Sequence, residues 1–188
     1  MHKLKAITPL GGIEPRVDGF AGLVISERPD RALASVGARQ GSEDAAAQAA
    51  RDLLGFDLPA PANWSAAGDY MAWWMGPDLW MVDAPHSSHE MLASQVKAAV
   101  GDTASVVEQT DGWCRFDVEG NRSLDLFERL TNANLRSATE GTALRTSIEH
   151  VGCFVLCLEA GKRFAVIGPR SSAASLHHAL LALAKSVT

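Results

Sequence analysis

The sequence predicts an α+β fold of two similar halves. Each half is a split β-α-β unit with helices on one face of an antiparallel sheet, and the halves share one core. Three observations carry that reading. Strand and helix patterns alternate as β-α-β-β-α-β from residue 32 to 109, and the series starts again at 113. Two turn sequences, Gly76-Pro77-Asp78 and Glu159-Ala160-Gly161-Lys162, join consecutive strands as hairpins. In the last segment, Leu176, Leu180, Leu183, Ala184 and Val187 recur at helical spacing and form an apolar stripe.

Residues 1–30 read as an N-terminal arm. Pro9, Gly11, Gly12, Pro15, Gly19, Gly22 and Pro29 punctuate it, and only Leu23-Val24-Ile25 has strand character. The body, 31–188, divides into halves at 31–110 and 111–188. A strand at 32–38 precedes a helix for which Ser42 is the N-cap and Gly55 the stop. Its apolar face is Ala46, Ala49, Ala50, Leu53 and Leu54. Pro59, Pro61 and the residues after them read as loop. Strands at 70–75 and 79–84 form the first hairpin. Ser87 and Glu90 have capping-box spacing before a helix that carries Leu92, Val96, Ala99 and Val100. A strand at 104–109 ends this half.

In the second half, residues 113–118 alternate as a strand. Asn121 caps a helix with Leu124, Phe127 and Leu130, and strands follow near 143–149, 151–158 and 163–168. The final helix opens near Ser172. These two halves are ferredoxin-like in layout and have no visible sequence repeat.

Composition excludes several classes. The net charge is −5, with 17 basic and 22 acidic residues and no basic block. Non-specific nucleic-acid binding and polybasic membrane docking both need such a block. No apolar run approaches the roughly 18 residues of a membrane span. The start, Met1-His2-Lys3-Leu4-Lys5, does not lead into a signal core. The chain reads as soluble and cytoplasmic.

Cys114, Cys153 and Cys157 form no C-x-x-C pair, so they read as buried reduced thiols. His86-x-x-His89-Glu90 matches neither zinc-protease order, and polar residues at a helix start account for it. His177 and His178 read as structural or exposed. Neither a nucleophile elbow nor a dinucleotide fingerprint is present. Arg170, Ser171 and Ser172 follow a strand and open a helix, which makes them an anion-site candidate. Four tryptophans, Trp64, Trp73, Trp74 and Trp80, lie on or beside one hairpin. Trp73 and Trp74 are consecutive in a strand and therefore point to opposite faces. An outward Trp needs a cover, either the arm or a second protein, so the four are the interface candidates.

The order of several segments resembles the gamma subunit of heterotetrameric sarcosine oxidase. They are Gly76-Pro77-Asp78-Leu79-Trp80, Val106-Val107-Glu108-Gln109-Thr110-Asp111-Gly112, Ala143-Leu144-Arg145-Thr146 and Arg170-Ser171. The span from Phe116 through Leu135 and on to Leu144 is similar to the folate-binding domain of glycine-cleavage aminomethyltransferase. The resemblance implies an aminomethyltransferase-like architecture. It also implies a complex with alpha, beta and delta subunits that oxidises sarcosine to glycine, with FAD, FMN, NAD and tetrahydrofolate on those partners and none on this chain.

Two departures bear on activity. The enzyme's Asn-Asp pair appears here as Asn132-Ala133. Its acidic hairpin lines up with Val151-Gly152-Cys153-Phe154-Val155-Leu156, which holds no carboxylate. The resemblance therefore implies a non-catalytic role in assembly. The alternatives are a folate-binding one-carbon protein and the same subunit role in a related N-methyl amino acid dehydrogenase complex.

Overall fold

Antiparallel pairing governs every sheet contact in the computed structural model, which describes residues 5–188. The basic start of the chain, Met1 to Leu4, lies outside the described residues. The strands are β1 (Val17–Phe20), β2 (Leu23–Glu27), β3 (Arg31–Ala38), β4 (Trp64–Ala67), β5 (Tyr70–Gly76), β6 (Leu79–Pro85), β7 (Ala104–Glu108), β8 (Trp113–Glu119), β9 (Ala143–Ile148), β10 (Val151–Glu159) and β11 (Arg163–Pro169). The helices are α1 (Glu43–Leu54), α2 (His86–His89), α3 (Leu92–Val100), α4 (Ser123–Leu130) and α5 (Ala173–Val187). This is a mixed α+β fold with two antiparallel sheets. The chain divides into two units, one of residues 30–110 and one of residues 1–29 with 111–188.

The unit of residues 30–110 holds a five-stranded sheet in the order β4-β5-β6-β3-β7. Helices α1 and α3 cover one face. Ala46, Ala50 and Leu54 of α1 and Leu92, Val96 and Val100 of α3 pack there with Ala34, Val36, Ala72 and Val82. Gly55 ends α1 in the left-handed region, at φ 79, and its N–H returns to the Arg51 carbonyl. Two expected caps do not form. Ser42 makes no side-chain cap bond; the Glu43 carboxylate instead accepts from the Gly41 N–H at 2.9 Å. Ser87 and Glu90 make no capping box, because α2 is a single turn that follows Pro85 and α3 starts afresh at Leu92.

The other unit holds a six-stranded sheet in the order β1-β2-β8-β11-β10-β9, with α4 and α5 on one face. The segment expected as an arm is an integral part of this sheet. Its strands β1 and β2 form a hairpin, and β2 pairs with β8 from Val24–Glu119 to Glu27–Phe116. Leu23 and Ile25 enter the same apolar cluster as Phe116, Phe127, Phe164 and Leu176. Many of the buried apolar residues form two clusters, one in each unit. Asn121 is not the cap of α4; Arg122 takes that position, and Ser123 Oγ donates to the carbonyls of Gly120 and Lys162.

Buried polar groups fix the hairpin. The Glu27 carboxylate is 2% exposed. It accepts from the Leu10 N–H at 2.9 Å and the Arg16 N–H at 3.0 Å. Asp18 Oδ2 lies 2.8 Å from Nε2 of the buried His177 on α5, and its carboxylate also pairs with Arg16. Two glycines permit the closest approach. Gly120 has φ 140, and a Cβ there would sit 2.1 Å from the Gly22 carbonyl oxygen. Gly22 itself has φ 75 and faces Asn121.

Gly120→Ala is therefore expected to destabilise this unit by about 1–3 kcal/mol, through strain and the forced separation of two backbones. Chemical denaturation measures the loss, and amide exchange should show the β1–β2 hairpin opening first. A second expectation concerns pH. Burial raises the Asp18 pKa, but hydrogen bonds and charge from Arg16 and His177 outweigh it and hold the group below its usual 3.8. Its contribution is complete above that value and is lost as pH falls through the lower folded value. Denaturation curves between about pH 5 and pH 2 should show this loss, and Asp18→Asn should flatten it.

Candidate functional site

Hairpin β5–β6 places the four candidate tryptophans on two faces of one sheet. Trp73 pairs with Met81 and with Trp64, on the face opposite Ala72 and Val82. It is completely buried. Trp74 pairs with Trp80 on the helix-bearing face. Both are partly buried, as is Trp64. Trp80 Nε1 donates to the Pro59 carbonyl at 2.9 Å, and the Trp74 N–H donates to the Asn63 carbonyl at 3.1 Å. The Trp80 indole thus reaches the loop that precedes β4. The period-two rule separates Trp73 from Trp74.

Exposed large apolar side chains lie elsewhere. Ile7, Ile13 and Val17 are 57%, 71% and 63% exposed, and Val24 is 41% exposed. Val17 and Val24 share the face of the β1–β2 hairpin that points away from Leu23 and Ile25. Sequence reasoning missed this patch. Its only signal was isoleucine and valine inside a glycine- and proline-rich segment.

The anion-site candidate is engaged within its own unit. Arg170 donates to the Ile7 carbonyl at 2.9 Å and pairs with Asp111 at 3.3 Å. Ser171 and Ser172 lie in a 3-10 turn that opens α5. His89 stacks edge-on against Tyr70 at 5.0 Å, and His86 stands at the start of α2. Among the described residues, no group of three His, Cys, Asp or Glu is placed to hold a metal. All three cysteines are buried and unbonded to one another. Desolvation pushes the thiols of Cys114 and Cys153 up to about 11, so both are neutral near pH 7. No described helix is long and apolar enough to cross a membrane.

The segment of residues 151–156 forms the start of β10. Cys153, Phe154, Val155 and Leu156 are all buried, and Val155 and Leu156 are fully so. Nearby, two open hollows flank β9. One, of about 400 Å³, is lined by Asn132, Asn134, Ser137, Thr142 and Arg145 among others. The second, of about 380 Å³, includes Arg129, Asn132, Ser147, Glu149 and His150. The hydroxyls of Thr131 and Thr146 meet at 2.5 Å where the two hollows adjoin. This region joins Asn132 to Arg145 and Thr146, residues that the sequence singled out separately.

Trp73→Ala is expected to cost about 3–5 kcal/mol and to lower the thermal midpoint sharply. Trp80→Phe should cost about 1 kcal/mol, the worth of one hydrogen bond. Calorimetry of both variants measures the difference.

No protein-family model matches the chain, and no curated protein matches it in sequence. Solved structures do match in fold. A chain of the heterotetrameric sarcosine oxidase from Corynebacterium sp. U-96, in complex with pyrrole 2-carboxylate, superposes with TM-score 0.75 at 19% identity. The match covers 91% of this chain and 88% of that one. Glycine cleavage system aminomethyltransferase T from Bartonella henselae superposes with TM-score 0.67 at 10% identity. It covers 95% of this chain but only 57% of the aminomethyltransferase. These likenesses establish a shared fold.

Proposed function

We propose that the chain is the non-catalytic gamma subunit of a heterotetrameric sarcosine oxidase, with a structural role in assembly. One observation carries this reading: the correspondence is whole chain to whole chain. It spans 91% of this chain and 88% of the sarcosine oxidase chain, so the two are of closely similar length. The aminomethyltransferase contains the same fold as a part of itself. The apolar, buried run of residues 153–158 in β10 supports a role without chemistry, since no carboxylate stands in it to take or give a proton. In this proposal the alpha, beta and delta subunits carry FAD, FMN, NAD and tetrahydrofolate, and the complex is cytoplasmic. Strand orders β5-β6-β3-β7 and β2-β8-β11-β10 support reading each unit as a ferredoxin-like split β-α-β half. The fourth strand of the second half then comes from the N-terminal hairpin.

The exposed Ile13, Val17 and Val24, with the half-covered Trp74 and Trp80, are the proposed contacts to the partner subunits. Obligate interfaces are apolar at the centre and bury roughly 2,000 Å² or more. Co-expression with the alpha, beta and delta subunits should give a stoichiometric complex on gel filtration; separate elution of this chain refutes the reading. Trp74→Ala should weaken assembly by about 2 kcal/mol while leaving the isolated fold intact.

The shared fold with an aminomethyltransferase favours a second reading, a folate-binding one-carbon protein. Trp fluorescence titrated with tetrahydrofolate separates the two. Saturable quenching supports the second, and its absence at high micromolar ligand removes it.

A further inference from the structure

Strand β9 is the longest of the four strands that end the sheets. It has six residues, against four in β1, four in β4 and five in β7. Its hydrogen-bonding parity follows from one contact. The Cys157 N–H donates to the Thr142 carbonyl at 2.9 Å, directly opposite in the β9–β10 register. In an antiparallel ladder such pairs alternate. Thr142, Leu144, Thr146 and Ile148 therefore bond to β10. The backbone N–H and C=O groups of Ala143, Arg145 and Ser147 point to the open edge. Arg145 and Ser147 are exposed, and no hydrogen bond from another described residue occupies those groups.

The surroundings fit an added strand. The two hollows follow one another along β9 and share Asn132, so alternate side chains of an extended segment would have somewhere to go. Amides and hydroxyls are part of the lining: Asn132, Asn134, Ser137 and Ser147. Two guanidiniums, Arg129 and Arg145, face a single carboxylate, Glu149. Arg145 has no ion pair among the described residues. The turn that ends the strand is fixed, because Glu149 and His150 both hold positive φ, 48 and 66, as a tight two-residue hairpin requires.

We propose that the β9 edge binds an extended, acidic polypeptide segment of a partner protein by strand addition. Charge selects this occupant over a second copy of the chain. Two-fold pairing through all three outward residues would centre on Arg145 and set like charges directly opposite, which destabilises a cross-strand pair. An acidic segment places a carboxylate there instead. The net charge of the whole chain is −5, so a local excess of guanidinium along one edge is a distinct feature of its surface. This inference stands apart from the subunit reading above, since it concerns a different face and any acidic strand-forming partner.

Ser147→Pro provides the sharpest test. Proline removes only an outward N–H, and edge strands accept it on that side. The probe is a fluorescein-labelled hexapeptide that alternates glutamate and valine, titrated against the full chain by fluorescence anisotropy. Binding should saturate, and Ser147→Pro and Arg145→Glu should each weaken it at least tenfold. A lysine-valine hexapeptide should bind at least tenfold more weakly, and so should the acidic peptide with alternate backbone nitrogens methylated. In spectra of the 15N-labelled chain, the amide signals of Arg145 and Ser147 should move first. No saturable binding, equal binding of the two peptides, or signals that move only elsewhere overturns the proposal. Concentration-dependent self-association through β9 overturns it in favour of a second copy. If Ser147→Pro does not fold, Arg145→Glu and the methylated peptide decide alone.

Discussion

The docking of the N-terminal hairpin onto β8 is the constraint on which the six-stranded sheet depends. Without β2, the edge of β8 is open along Phe116, Asp117, Val118 and Glu119. Leu23 and Ile25 then leave the cluster around Phe116 and Phe127. The buried Glu27 makes this docking specific. A carboxylate inside an apolar cluster is costly unless hydrogen-bonded, and its two N–H partners come from Leu10 and Arg16. One side chain therefore ties both the approach to β1 and its first turn to the sheet.

That arrangement is legible only after folding. The glycine and proline content of residues 1–30 is honestly loop-like, and each strand there is four or five residues long. What makes them strands is β8, about ninety residues later, as the Arg28–Asp117 pair spans. Strand β4 fails to show itself for a similar reason. Its four residues gain their ladder from β5 and have little pattern of their own. By contrast, the paired strands β5–β6 and β10–β11 are visible in sequence, because local turn chemistry and short continuous apolar runs agree there.

Capping shows where local rules lose. Ser42, Ser87 and Asn121 are residues that favour helix starts, yet none makes a side-chain cap bond. At residue 87 a preceding proline and a one-turn helix displace the start to Leu92. At residue 121 the close approach of Gly22 and Gly120 fixes the backbone, and Ser123 takes the hydrogen bonds instead. The tryptophan pair fared differently, since alternation along a strand is geometry and needs no partner to hold. What the sequence could not tell is that the Trp80 indole would bond to the loop at Pro59.

The interior of β10 limits what chemistry this scaffold can hold. Val155 and Leu156 are fully buried, with Phe154 and Cys153 nearly so. A carboxylate placed at any of these positions would enter a buried, apolar environment. Its charged form would be opposed by several kcal/mol, and its proton would be held rather than exchanged. The chain's outward features are an apolar hairpin face at Val17 and Val24 and an open, guanidinium-bearing strand edge at Arg145.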